Sequence, residues 1–218
     1  MKINPPWLCL ITSDSRSKRH DVVQLVHEAV SGGVNMVQLR TGITDHVKLT
    51  SLASQIRDIT SGKSLFLVNS NLKLAITSGA DGVHFKEREV IPRNLKNEIG
   101  KEFMIGKSVH SVSGALSASM NGADYLTAGT IYSSKSHPGG ETKGPKFISE
   151  IISNVNLPVV GVGGIRHDNV MEVMNEKASG VAVIGAIAES EHPKFAASKI
   201  WSLIECNGIA SGENGNCS

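Results

Sequence analysis

The chain has 218 residues, 40% hydrophobic and 19% charged, with a formal net charge of +2. That is the make-up of a globular protein able to bury a full core, and the charge is too small to point to nucleic acid or a membrane surface. The start, Met1-Lys2-Ile3-Asn4-Pro5-Pro6, has no apolar signal core and no apolar run approaches ~20 residues, so no membrane span and a cytoplasmic location are expected.

Strand-like and helix-like stretches alternate from end to end. Residues 7–12 (WLCLIT) read as a first strand, with Cys9 as a small buried hydrophobe. The other cysteines, Cys206 and Cys217, show no metal-ligand spacing with it. Residues 21–31 follow as an amphipathic helix, with Val22, Leu25, Val26 and Val30 at helical spacing. Residues 35–40 (NMVQLR) form a second strand, and the next helix starts near Thr44, with Val47, Leu49, Leu52 and Ile56 along one stripe. Residues 64–69 (SLFLVN) are the third strand and 72–78 a short helix. Residues 82–85 and 102–107 are the fourth and fifth strands, 112–121 a helix and 124–128 the sixth strand. Two runs of β-branched residues complete the series, 158–165 (PVVGVGGI) and 180–187 (GVAVIGAI). Each reads as a strand buried on both faces and ends in glycine where a loop begins.

Eight βα units without a large composition break predict one domain over residues 1–206, a single (β/α)8 TIM barrel of compact size. A doubly wound sheet is the alternative, but no glycine-rich turn follows the first strand. Residues 207–218 (NGIASGENGNCS) are glycine-rich and polar and read as a disordered tail.

In such a barrel the working residues stand at the C-terminal ends of the strands or just beyond. Gln38 and Arg40 alternate with Val37 and Leu39, so both can point into the barrel. A buried Arg needs an anion, either a ligand phosphate or a structural carboxylate. Asn69 ends the third strand, as a ligand contact or as the cap of the next helix. After the fourth strand come His84, Glu87 and Glu89, the glutamates reading as a solvated loop rather than a metal site. After the fifth come Ser108 and His110, and His110 reads as an interior histidine satisfied by a backbone carbonyl. The loop 129–144 (GTIYSSKSHPGGETKG) offers Ser134, Lys135, Ser136 and His137, a set that suits an anion lid. Gly163 and Gly164, then Ile184 and Gly185, close the ring. Adjacent glycine-tipped turns of this kind present backbone N–H groups to a phosphate. A small phosphorylated ligand is therefore expected.

In their order and spacing, LCLIT, VQLR, FLVN, ADGVHF, IGKSVHS, GADYLTAGTIY, the serine-rich loop, PVVGVGGI and GVAVIGAI resemble the thiamin phosphate synthase/thiazole tautomerase (TenI-like) superfamily, from about residue 7 to 205. The resemblance implies an enzyme of thiamin biosynthesis. Synthases of this kind join a pyrimidine diphosphate to a thiazole phosphate, with magnesium and cationic side chains neutralising the leaving diphosphate. By that resemblance Gln38, Arg40, Asn69 and Ser108 match pyrimidine diphosphate contacts, and Lys135 joins the substrate-binding set. Ser134, Ser136, Gly163, Gly164, Ile184 and Gly185 match the positions that hold the thiazole phosphate.

The departures gather on the diphosphate side. Synthases read Gln-Leu-Arg-x-Lys after the second strand, and Gly42 stands at that lysine. Their third strand ends Asn-Asp, which is Asn69-Ser70 here, and their Gly-Gln-x-Asp pattern is Lys86-Glu87-Arg88-Glu89. Their Thr-x-Thr-Lys is Ser134-Lys135-Ser136-His137. Losing a carboxylate weakens a magnesium site, so the main expectation is the tautomerase branch, with no metal and no cofactor. That branch isomerises a thiazole carboxylate phosphate by moving a proton, which needs an acid/base group. His137 is the expected acid/base residue and Glu89 the second choice, with Thr130 standing where tautomerases often carry histidine. The alternatives are a divergent synthase using magnesium, Glu89 and Lys135, and a non-catalytic binder of thiazole phosphate or thiamin phosphate. The sequence leaves a homodimer open.

Overall fold

Eight strands pair in parallel around a closed ring in the computed structural model: β1 (Trp7–Ile11), β2 (Met36–Leu39), β3 (Leu65–Asn69), β4 (Gly82–Phe85), β5 (Met104–Val109), β6 (Tyr125–Ala128), β7 (Val159–Val162) and β8 (Gly180–Val183). The structure describes residues 3–15, 19–134, 139 and 141–210. Helices α1 (Val22–Ser31), α2 (His46–Thr60), α3 (Leu72–Thr77), α4 (Leu95–Ile99) and α5 (Val112–Met120) return the chain between the first six strands. They are followed by α6 (Lys146–Ile152), α7 (Val170–Asn175), α8 (Gly185–Ala188) and α9 (Pro193–Ala210). The (β/α)8 barrel read from the sequence is the fold. Among the described residues no helix is long and apolar enough to cross a membrane.

Side chains at the helix starts explain several boundaries. Asp21 accepts from Val23 N–H, Asp45 from Val47 and Lys48 N–H, and Ser111 from Gly114 N–H. Asn71, not Asn69, caps α3 by accepting from Leu74 N–H at 3.0 Å, which frees Asn69 for the barrel interior. Strand β5 lies two residues later than the expected 102–107, because its pairing runs on to Ser108↔Thr127 and Val109↔Ala128. Periodicity assigns no helix between β4 and β5, where α4 has only 5 residues, too few to display a 3.6-residue repeat. Helix α9 runs to Ala210, past the expected domain boundary at 206, and residues 211–218 lie outside the described residues.

A polar residue immediately before each even-numbered strand pins the odd strand beside it. Asn35 Oδ1 accepts from Leu8 N–H at 2.9 Å and Asp81 Oδ2 from Phe66 N–H at 2.7 Å. Asp124 Oδ2 accepts from Ile105 N–H at 2.7 Å and Ser179 Oγ from Val159 N–H at 3.3 Å. These bonds fix the stagger of neighbouring strands at the closed end of the barrel, opposite the working face.

Inside the ring, side chains alternate in layers from odd and even strands. Trp7 and Tyr125 meet edge to face, ring centroids 5.8 Å apart, low in the barrel. A Cβ on Gly106 would lie 2.4 Å from the Tyr125 ring, so residue 106 leaves the space that the ring fills. Above them lie Gln38, His84, Thr127 and Ala182 from the even strands, then Ile11, Asn69, Ser108 and Val162 from the odd ones. The interior thus turns from apolar to polar toward the C-terminal ends of the strands.

Candidate functional site

Those two upper layers are the floor of a cavity of about 690 Å³, within the ~300–1,000 Å³ usual for small-molecule sites. Gln38, Arg40, Asn69, Ser108 and Glu89 line it on the β2–β5 side. Ser134, Gly163, Gly164, Ile184 and Gly185 line it on the β6–β8 side. The structure therefore brings together every expected site residue that it describes. Lys135, Ser136 and His137 lie outside the described residues.

On the first side a hydrogen-bonded chain crosses three strand ends. Gln38 Nε2 donates to Asn69 Oδ1 at 2.9 Å, and Asn69 Nδ2 donates to Ser70 Oγ at 2.9 Å. Ser70 Oγ donates to Glu89 Oε2 at 3.0 Å, and the same oxygen accepts from Lys86 N–H at 2.7 Å. Ser70 has φ 62°, which bends the backbone after β3 toward the loop that carries Glu89. Gln38 is buried, yet its Oε1 has no partner among the described residues. A buried carbonyl oxygen without a donor is costly, and one that lines a cavity is suited to a donor from a ligand. Burial holds the Arg40 guanidinium below its ordinary value, opposed by the Asp14 charge, and the guanidinium makes no hydrogen bond among the described residues.

Beneath this chain, the Lys107 ammonium is buried and donates to the carbonyl oxygens of Glu89 and of Lys86, the latter at 2.7 Å. Burial lowers its pKa, against the pull of Glu89 and Glu87. Lys107 thus ties the 86–89 loop to β5. His110 is not interior: it is nearly half exposed at the mouth and its Nδ1 faces Glu87 Oε2 at 3.0 Å. His84 is the interior histidine, bonded to the side chains of Tyr125 and Ser108 rather than to a backbone carbonyl. Burial, and then the Lys107 charge, push its pKa down to about 3, so it is neutral near pH 7.

The second side is built from backbone. Gly163 and Gly164 have φ of 104° and 65°. A Cβ on Gly164 would stand 2.6 Å from the carbonyl oxygen of Ser133 and 2.8 Å from that of Tyr132, so the turn after β7 packs against the loop after β6 only with glycine there. Ile131 N–H and Tyr132 N–H donate to the carbonyls of Val162 and Gly163, both at 3.0 Å, which holds the two turns together. No backbone acceptor among the described residues takes the N–H of Gly164 or Gly185. Ser134 Oγ is buried without a partner among the described residues. Two N–H groups and a hydroxyl without partners among the described residues, on one cavity wall, are chemically suited to receive an anion.

The sequence reading missed Thr127 and Arg166, which also line the cavity, as does Thr130, noted there only as standing where tautomerases often carry histidine. The barrel rule places each of them: Thr127 points inward on β6, Thr130 follows that strand and Arg166 follows the glycine turn after β7. Among the described residues no three His, Cys, Asp or Glu side chains gather as a metal cluster.

The family model described as TMP-TENI, thiamine monophosphate synthase, matches residues 8–187. A thiamine-phosphate synthase of Chlorobium limicola is 33% identical over 204 residues, covering 93% of this chain and 95% of the relative. One of Haloquadratum walsbyi is 32% identical over 206 residues, covering 93% and 92%. Among solved structures, thiamine phosphate pyrophosphorylase from Pyrococcus furiosus is similar with a TM-score of 0.82 at 32% identity, covering 92% of this chain and 96% of that one.

Proposed function

The chain belongs to the thiamine monophosphate synthase (TMP-TENI) family, and from that we propose that it is a thiamine-phosphate synthase, a transferase joining a pyrimidine diphosphate to a thiazole phosphate. The observation that carries this reading is the single cavity with two differently built sides, a side-chain chain at Gln38–Asn69–Ser70–Glu89 and a backbone cradle at Gly164 and Gly185. A tautomerase has one thiazole phosphate to hold and needs only the second side. The relatives named above are synthases across more than nine tenths of this chain, which further favours transfer over the isomerisation that the loss of the family's aspartate at position 70 suggested.

On this reading the reaction breaks the bond between the pyrimidine methylene carbon and its diphosphate oxygen. The thiazole nitrogen lone pair then bonds that carbon, and the electron pair of the broken bond leaves on the diphosphate. Gln38 Oε1 accepts from a donor on the pyrimidine, and the Arg40 guanidinium neutralises charge on the diphosphate. The N–H groups of Gly164 and Gly185 with the Ser134 hydroxyl anchor the thiazole phosphate, so the nitrogen is held facing the carbon.

Magnesium, which the family resemblance implies, suits the hard oxygens present in one form, an ion shared with the substrate. Glu89 is a carboxylate that already converges with the Ser70 hydroxyl in the cavity, and magnesium is commonly held by one or two carboxylates plus substrate phosphates. When bound there it would supply positive charge for the departing diphosphate.

The test supplies the purified protein with both substrates and magnesium and follows thiamin phosphate and diphosphate together. Equal amounts of both products are expected. No diphosphate release, together with faster interconversion of thiazole tautomers, would overturn the reading in favour of the isomerase.

A further inference from the structure

Four polar side chains at the centre of the barrel are bonded in a way that leaves one proton arrangement. Tyr125 is fully buried, and its hydroxyl needs an acceptor. The His84 Nδ1 lies 2.9 Å away, and no other hydrogen bond is recorded for the phenol among the described residues. Nδ1 is therefore the acceptor and carries no hydrogen. His84 is itself buried and neutral, so its one ring hydrogen sits on Nε2. That nitrogen faces Ser108 Oγ at 2.8 Å and Thr127 Oγ1 at 3.3 Å. Thr127 Oγ1 also donates to Ser108 Oγ at 3.3 Å. Ser108 Oγ thus accepts on two sides, and its own hydrogen has no acceptor within the network. Ser108 lines the cavity.

We propose that His84, held as its Nε2–H tautomer by Tyr125, is a positioning residue that turns the Ser108 hydroxyl hydrogen into the cavity as a fixed donor to an acceptor atom of the substrate. Two donors on Ser108 Oγ polarise its O–H bond and strengthen the bond it gives. The inference rests on the cavity being the substrate site, as read above; the tautomer can be measured without substrate.

Nitrogen NMR of histidine-labelled protein near neutral pH tests the first half. The expected signature for His84 is a bare Nδ1 and a protonated Nε2, and in Tyr125→Phe the proton is expected to divide between the two nitrogens. A wild-type His84 protonated on Nδ1, or on both nitrogens, overturns the proposal. Steady-state kinetics test the second half. Tyr125→Phe and Ser108→Ala are each expected to lower kcat at least tenfold with KM changed less than threefold. His84→Gln, whose amide N–H can replace Nε2–H, is expected to recover activity that His84→Leu loses. Equal activity of the Gln and Leu variants, with matched folding by circular dichroism, refutes the positioning role. A wild-type protein without synthase activity that still shows the Nε2–H tautomer would count against the proposed function and leave the tautomer standing.

Discussion

Acid should destabilise this protein through His84 by an amount that can be isolated from every other titration. The imidazole is buried beside Lys107 and Tyr125, and burial first, then the Lys107 charge, lower its pKa from 6.5 to about 3. The unfolded chain takes up a proton at this residue near pH 6.5 while the folded one does not, so below that value the unfolded state binds more protons. Stability contributed by the neutral ring is complete above 6.5, falls as pH drops, and levels off near 3. The slope is about 1.4 kcal/mol per pH unit, which gives roughly 2 kcal/mol by pH 5 and a ceiling of about 5 kcal/mol. Against a typical total of ~5–15 kcal/mol, one histidine is enough to bring on acid unfolding. Urea unfolding at pH 7, 6 and 5 would compare wild type with His84→Gln, which keeps a donor and an acceptor but does not titrate. The variant starts lower at pH 7, having lost the fitted ring, and its stability should then fall less steeply. Parallel slopes for the two proteins would refute the buried neutral histidine.

Gly164→Ala forces a Cβ against the Ser133 carbonyl at a φ of 65°; calorimetry should show thiazole phosphate binding weakened at least tenfold, with inorganic diphosphate binding unchanged. Arg40→Met should weaken inorganic diphosphate binding by about ten- to a hundredfold, while the melting temperature holds or rises, because a half-buried cation without a hydrogen-bonded carboxylate is removed. Asp124→Ala removes the acceptor of Ile105 N–H and the partner of Lys96 at the closed end. It should cost about 2 kcal/mol of stability in denaturant titrations with turnover per folded molecule unchanged. Ser70→Asp replaces the hydroxyl that bonds Glu89 with a second carboxylate, at a φ of 62° that aspartate tolerates. Thermal melts should show a variant less stable than wild type without magnesium and stabilised more by millimolar magnesium; an equal magnesium response would sink the placement of the ion beside Glu89.

The barrel was legible because parallel strands buried on both faces appear as uninterrupted apolar runs, as in residues 65–68 and 159–162. Its working face was legible because the barrel rule restricts attention to strand ends, and that restriction placed Gln38, Ser108 and the glycine turns in one cavity. Single-residue environments were not. His84 stands inside β4 and is sealed against Tyr125, while His110 stands one residue past the end of β5 and meets Glu87 at the mouth. Gly106, beside His84 on β5, has no side chain and so leaves room for the tyrosine ring that bonds it. Nothing near His84 in sequence reports the vacancy at Gly106 on the neighbouring strand, or the β6 ring that fills it. Asn69 and Asn71 pose the same difficulty: both residue types cap helices, and only the backbone path after β3 assigns the cap to Asn71.

The proposed transfer reading has to accommodate a change that looks like a loss one residue at a time. Serine at position 70 removes a carboxylate from the end of β3, and glutamate at position 89 is longer than the aspartate of the family pattern. In space the two changes meet. The Ser70 hydroxyl donates to Glu89 Oε2 at 3.0 Å, and Lys107 holds the glutamate's loop from below through two backbone carbonyls. A shortened side chain on the strand faces a lengthened one on the loop, so a carboxylate oxygen remains on the β2–β5 side of the cavity. The partners are 19 residues apart, and no local spacing rule couples them. Judged position by position the β2–β5 side has one carboxylate fewer than the family pattern; judged by which oxygens converge, the Ser70 hydroxyl and the Glu89 carboxylate still meet there.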